Sequence, residues 1–153
     1  MTLTVAYQMD PMEGLNFAGD STFALMLSAQ ARGHINYHYT ADRLNYSDGK
    51  VWVVARPVTV QRVPGDYYNF GDPVQIDLGD DVDVVLMRQD PPFHMGYITA
   101  THLLERIAPH TLVVNDPANV RNSPEKVMVL NYRRSAEAAE ASAARLRAAG
   151  AQA

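Results

Sequence analysis

The chain has 153 residues, a hydrophobic fraction of 47% against 20% charged, a net charge of -4 and no cysteine. That is one domain's worth of soluble globular protein, and it excludes disulfides, thiolate metal sites and a cysteine nucleophile. The acidic balance argues against nucleic acid or an anionic membrane surface as partner, and no apolar run approaches the length of a membrane span. The N-terminus Met1-Thr2-Leu3-Thr4-Val5 lacks a basic leader region, so no signal or transit peptide is expected and a cytoplasmic setting fits.

Leu3 to Met9 is short and apolar and stops at Asp10-Pro11, which reads as a buried first strand. After a loop to Gly19, Asp20-Ser21-Thr22 supplies N-cap residue types ahead of a helix over Phe23–Arg32, and Gly33 stands where a C-cap glycine belongs. Phe23, Met26 and Leu27 share a face and should lie on a sheet. His34 to Tyr39 alternates with period two, placing Ile35, Tyr37 and Tyr39 on one face and His34, Asn36 and His38 on the other. Strand, helix and strand in this order make a right-handed βαβ unit, Rossmann-like in build.

The rhythm then changes. Leu44-Asn45-Tyr46 and Val51-Trp52-Val53-Val54 flank Ser47-Asp48-Gly49-Lys50, and an Asp-Gly pair between strand-like runs predicts a hairpin. Val58–Arg62 is a further extended piece after Pro57, and residues 63–80 are expected to form a long loop with a short helical turn around Asp66–Phe70. The next strand, Asp83 to Arg88, is the organising stretch of the chain. Its valines and leucine run straight into Arg88-Gln89-Asp90 and are stopped by Pro91-Pro92. A second helix is expected over Tyr97–Arg106, with Tyr97, Ile98, Thr101 and Leu104 toward the core, and a last buried strand over Thr111–Asn115 ends at Asp116-Pro117.

Three strands therefore end alike, at Asp10-Pro11, Asp90-Pro91 and Asp116-Pro117. If the strands are parallel, the three turns share one edge of the sheet, where open α/β sheets bind their ligands. A guanidinium delivered there suits an anion, which makes Arg88 the leading candidate; its alternative is a structural arginine pairing with Asp90. Asp90 is equally a turn former before proline, and Ser21 equally a plain helix cap. His34 and His38 share a strand face but have no third metal ligand near them in sequence, so they read as the solvated or half-buried polar face of an outer strand. Gly14 and Gly19 do not make a phosphate loop, no GxSxG elbow exists, and Asp80, Asp81 and Asp83 read as a solvated loop.

The tail is compositionally distinct. Residues 132–153 carry Arg133, Arg134, Arg145 and Arg147 against Glu137 and Glu140, a balance of +2 that leaves -6 on the body. Alanine, arginine and glutamate over Ser135–Ala149 favour a helix, but Leu146 is its one large apolar residue, so it is expected to dock loosely.

The blocks Tyr7-Gln8-Met9-Asp10-Pro11, Gly19 to Leu25, Ala29 to His34, Met87 to Phe93, Asn115-Asp116-Pro117-Ala118 and Val120 to Lys126, in this order, closely resemble the N-terminal domain of bacterial glutathione synthetase. The resemblance implies an α/β fold: a Rossmann-like pre-ATP-grasp domain, with a mostly parallel sheet flanked by helices and an inserted β-hairpin. Residues 1–130 would be this substrate domain and residues 131–153 the tail. That family joins γ-glutamylcysteine to glycine with ATP and Mg²⁺, largely through a C-terminal ATP-grasp module whose lysines, glycine-rich loop and metal ligands are not in this chain. No cofactor is therefore expected here. The resemblance assigns Arg88, Asp90, Asn16 and Ser21 to binding γ-glutamylcysteine or glutathione, implies a homo-oligomer, and implies a chain inactive on its own. The alternative is a non-catalytic dimerisation or regulatory domain. Two positions depart from the family: His94 stands where an acid usually follows Pro-Pro-Phe, and Ser28 where the first helix usually has glutamate.

Overall fold

The computed structural model describes residues 1–123. The expected tail helix and the boundary at residue 130 lie outside the described residues. The elements are β1 (Thr4–Gln8), α1 (Ser21–Ala31), β2 (Ile35–Tyr39), β3 (Leu44–Ser47), β4 (Lys50–Val60), β5 (Tyr68–Phe70), β6 (Val74–Asp77), β7 (Val84–Met87), α2 (Met95–Ile107), β8 (Leu112–Val114) and α3 (Pro117–Asn122). Among the described residues no helix is long and apolar enough to cross a membrane.

The fold is α/β, with one eight-stranded sheet in the order β3-β4-β2-β1-β7-β8 and with β5 and β6 also paired to β4. Strands β2, β1, β7 and β8 are mutually parallel, with Thr4 opposite Ile35, Val5 opposite Val84, and Val84 opposite Leu112. The other half is antiparallel and built around β4, so the sheet is mixed and not dominated by its parallel strands. The inserted hairpin accounts for this. Asp48 (φ 52) and Gly49 (φ 82) both take the left-handed conformation of a tight hairpin turn, which sends β4 back along β3. β4 then runs through Pro57 without a break. The missing N–H costs little there, because Pro57, opposite Tyr37, is the last residue of β4 paired to β2, and its carbonyl accepts the Gly71 N–H at 2.8 Å.

Residues 63–80 are not one long loop. Tyr68–Phe70 and Val74–Asp77 add two short strands to β4, and no helical turn forms at Asp66–Phe70. The Asp80–Asp83 stretch is also more than solvated loop. Lys50 Nζ reaches Asp77 at 2.8 Å and Asp80 at 2.6 Å, Asp81 accepts the Asp77 N–H at 2.9 Å, and Asp83 accepts the Thr4 N–H at 2.7 Å.

Alternation along β1 sends Val5 and Tyr7 to one side and Ala6 and Gln8 to the other, so the sheet is cored on both faces. On one face, Val5, Tyr7, Val58 and Val60 pack with Phe23 and Met26 of α1. On the other, Ala6, Tyr39, Val85 and Met87 pack with Leu104 and Ile107 of α2. Fully burying a side chain the size of Leu or Met contributes about 1.5–3 kcal/mol relative to exposure, so these two layers fix where both helices lie. The ends of α1 are as expected: the Asp20 carboxylate accepts the Phe23 N–H at 2.7 Å, and Gly33 (φ 76) donates to the Gln30 carbonyl at 2.9 Å.

Strand β2 reverses an expectation. It lies between β1 and β4, not at an edge, and its polar face is buried while Ile35 is 47% exposed. Asn36 donates to the Met26 carbonyl of α1 at 3.0 Å, and His38 Nε2 lies 3.1 Å from the Asp10 carbonyl. An interior strand covers both faces, so its polar side chains must find partners instead of water.

Candidate functional site

Because β1, β7 and β8 are parallel, their carboxyl ends and all three Asp-Pro turns fall on one edge of the sheet, as the sequence predicts. Two cavities open there. One, of about 430 Å³, is lined by Arg88, Asp90, Phe93, Tyr97, Asn115 and Asn119 among others. The second, of about 520 Å³, lies toward α2 and is lined by Asp10, Thr40, Asp42, His94 and Thr99 among others. Gln89 lines both.

Arg88 extends the ladder one step past β7, its backbone N–H donating to the Gln8 carbonyl at 2.7 Å. Its side chain crosses to the first turn of α1, where Nε donates to Thr22 Oγ1 at 2.9 Å and Nη2 to Ser21 Oγ at 2.7 Å. A cation at a helix N-terminus meets the positive end of the helix dipole, so the two hydroxyl acceptors hold it there against that field. Among the described residues no carboxylate pairs with Arg88, and the ion pair with Asp90 does not form. Guanidinium and helix end together favour an anion.

Of the other sequence-predicted site residues, Ser21 meets Arg88 directly, whereas Asp20, not Ser21, caps α1. Asp90 lines the same cavity as Arg88, is exposed, and donates its backbone N–H to the Asp10 carboxylate at 2.7 Å. Asn16 lines neither cavity. It is exposed on the loop before α1, where its backbone carbonyl accepts the N–H groups of Gly19 (3.0 Å) and Asp20 (2.9 Å).

Sequence reasoning missed Gln89, Tyr97, Asn115 and Asn119. Asn115 was legible in principle, since it precedes the third Asp-Pro turn as Gln89 precedes the second. Tyr97 was placed toward the core; it is half-buried instead, its ring 4.8 Å from that of Phe93 on the cavity wall. Burial and the neighbouring Asp90 carboxylate raise its pKa, against the opposing pull of Arg88, so the phenol is a neutral donor at pH 7. Nothing in the helical period separates a core tyrosine from one that ends in a cleft.

His94 has a definite job: its Nδ1 accepts the Tyr97 N–H at 3.3 Å and caps α2. An acid there would cap in the same way. His38 lies beneath the Asp10 turn. Burial lowers its pKa, against the raising effect of the Asp10 carbonyl and Glu13, so it is neutral at pH 7. Among the described residues no three His, Asp or Glu side chains converge as metal ligands.

A mixed sheet flanked by helices, with a crevice at the carboxyl edge of its parallel strands and an arginine fixed beside it, defines an α/β domain with a candidate ligand site. The family described as "Prokaryotic glutathione synthetase, N-terminal domain" matches residues 3–121, and this chain belongs to that family. It is 54% identical over 128 residues to the glutathione synthetase of Agrobacterium fabrum, a match covering 84% of this chain and 40% of that protein. Against the Brucella melitensis glutathione synthetase it is 56% identical over 132 residues, covering 86% and 42%. Against that of Vibrio parahaemolyticus it is 38% identical over 120 residues, covering 78% and 38%. The chain thus spans about two-fifths of the length of these relatives.

Proposed function

We propose that this chain is the substrate-holding N-terminal domain of a glutathione-synthetase-like ligase, in which Arg88 grips a carboxylate of γ-glutamylcysteine or glutathione. Asp90 completes the substrate side of the crevice in this reading, Ser21 contributes through the guanidinium it holds, and Asn16, which lines neither cavity, would meet the substrate from the loop before α1. The observation that carries it is the Arg88 guanidinium, fixed by two hydroxyls of α1 at the rim of the crevice with no carboxylate partner among the described residues. A planar two-pronged donor matches a carboxylate in a way an ammonium does not. The family's overall reaction, the ATP-dependent joining of γ-glutamylcysteine and glycine, requires ATP and Mg²⁺. No step involving them is assigned to these residues, and the chain alone is inactive in this reading. Its setting is cytoplasmic.

Calorimetric titration of γ-glutamylcysteine into the 153-residue chain tests the proposal. Binding is expected, and Arg88→Lys should weaken it about tenfold, the loss of one charge-assisted hydrogen bond. Unchanged affinity refutes the role of Arg88. Incubation with ATP, Mg²⁺, γ-glutamylcysteine and glycine should yield no glutathione; product would overturn the inactivity.

A second reading, homo-oligomerisation as the function of the domain, is favoured by β8. In the described sheet it is the outermost strand, and Leu112 (61%) and Val114 (38%) are exposed on it. Size-exclusion chromatography of wild type and Leu112→Lys separates this from ligand binding: loss of a dimer peak with unchanged titration supports self-association alone.

A further inference from the structure

Gln8 is a fully buried amide at the carboxyl end of β1, and the function proposed above does not use it. It lies on β1 on the side of Ala6, and the residues opposite it on the neighbouring strands, Tyr39 and Met87, belong to the apolar core. Its Nε2 donates to Gln89 Oε1 at 2.8 Å, while its own Oε1 is buried with no partner among the described residues. An apolar side chain would avoid the penalty that an unsatisfied buried acceptor carries. The polar choice therefore serves what it touches. That is the Gln89 amide, whose oxygen it turns inward, leaving the two N–H donors of Gln89 to the crevice that Gln89 lines on both sides.

Successive side chains at an extended strand end leave on opposite faces. Arg88 goes to α1, and Gln89 goes to the side of α2, where His94, Gly96 and Thr99 share its cavity. An uncharged donor pair suits an uncharged acceptor. We infer that Gln89 is a specificity-determining residue that donates to the peptide carbonyl of a γ-glutamyl dipeptide, and that buried Gln8 is the positioning residue that sets its amide. The inference rests on the reading of the crevice as the dipeptide site. It adds to that reading a neutral contact that distinguishes a peptide from a simple carboxylate.

The test uses the 153-residue chain, γ-glutamylcysteine calorimetry, and the side-chain amide signals of ¹⁵N-labelled protein, with the Gln89 pair assigned by its disappearance in Gln89→Leu. Expected results are a Gln89 amide signal that shifts on adding dipeptide and an affinity about tenfold weaker in Gln89→Leu, the loss of one hydrogen bond. In Gln8→Met, the Gln89 amide signal should move before any ligand is added, and the affinity should fall by a smaller factor. A Gln89 signal that ignores the dipeptide, or unchanged affinity in Gln89→Leu, overturns the inference. If Arg88→Lys weakens binding while Gln89→Leu does not, the site reading stands and this inference falls. If the wild-type chain binds no dipeptide, both fall.

Discussion

The carboxylate of Asp10 accepts the backbone N–H of Asp90 at 2.7 Å, across 80 residues of sequence. With the Arg88 N–H on the Gln8 carbonyl and the Gln8 amide on Gln89, it ties the end of β7 to the end of β1 residue by residue. The two Asp-Pro turns are thus one structure, and the position of Arg88 is set from β1.

Removing that tie should loosen the crevice before it harms the fold. Asp10→Ala is expected to lower stability by about 1 kcal/mol in urea unfolding, the net worth of one partly solvated hydrogen bond. Asp10→Asn keeps an acceptor and should retain most of the difference. Equal loss in both variants would mean that the carboxylate charge, not the hydrogen bond, matters.

The grip on the Arg88 guanidinium can be tested without touching Arg88. Thr22→Val preserves shape at a buried position but removes the acceptor of Nε. Stability should change by about 1 kcal/mol, and dipeptide affinity should fall with it. A calorimetric titration that matches wild type would show that the hydroxyl does not orient the arginine.

The hairpin turn depends on Gly49. At φ 82 an L-residue is strained, so Gly49→Ala should cost about 1–2 kcal/mol in denaturant unfolding. Gly14, which has an ordinary φ and open space around its Cα, should accept alanine with almost no change, and a comparable loss there would count against the turn as the cause.

Stability should depend on pH through His38. Its folded pKa lies below the ordinary 6.5 because of burial, so below about pH 6.5 the unfolded chain binds a proton that the folded chain refuses. Stability is therefore unaffected above that range and falls as pH drops through it. Melting temperatures from pH 8 to pH 5 should decline, and His38→Gln should flatten the decline between pH 6.5 and 5. An unchanged slope in His38→Gln would assign the pH dependence to other groups.

The parts of this molecule readable from sequence are those specified by neighbours along the chain. Asp20 and Gly33 bracket α1, Asp48-Gly49 makes its turn, and Val84–Met87 runs into its proline stop because each signal is local. What was hidden depends on partners far away. β5 and β6 are three and four residues long and exist only because β4 offers them an edge. Asn36 and His38 look solvated until β2 is placed between β1 and β4 with α1 above it. Arg88 was identifiable at its strand end, but no pattern in the sequence announces that Ser21 and Thr22, more than sixty residues earlier, receive its guanidinium. Gln89 was passed over and Tyr97 was assigned to the core because strand and helix periods report burial, not which buried flank borders an opening.

The long strand β4 also dictates an order of assembly. Its partners β3, β5 and β6 lie within a few tens of residues of it, so the antiparallel lobe closes through short loops and can form early. β1 is different: it is made before β7, yet one of its edges waits for Val84 to Met87. On the ribosome, the apolar strip Val5–Tyr7 must stay unpaired on that side until the crevice-bearing strand emerges, so β1 is fully enclosed only well after it has left the tunnel.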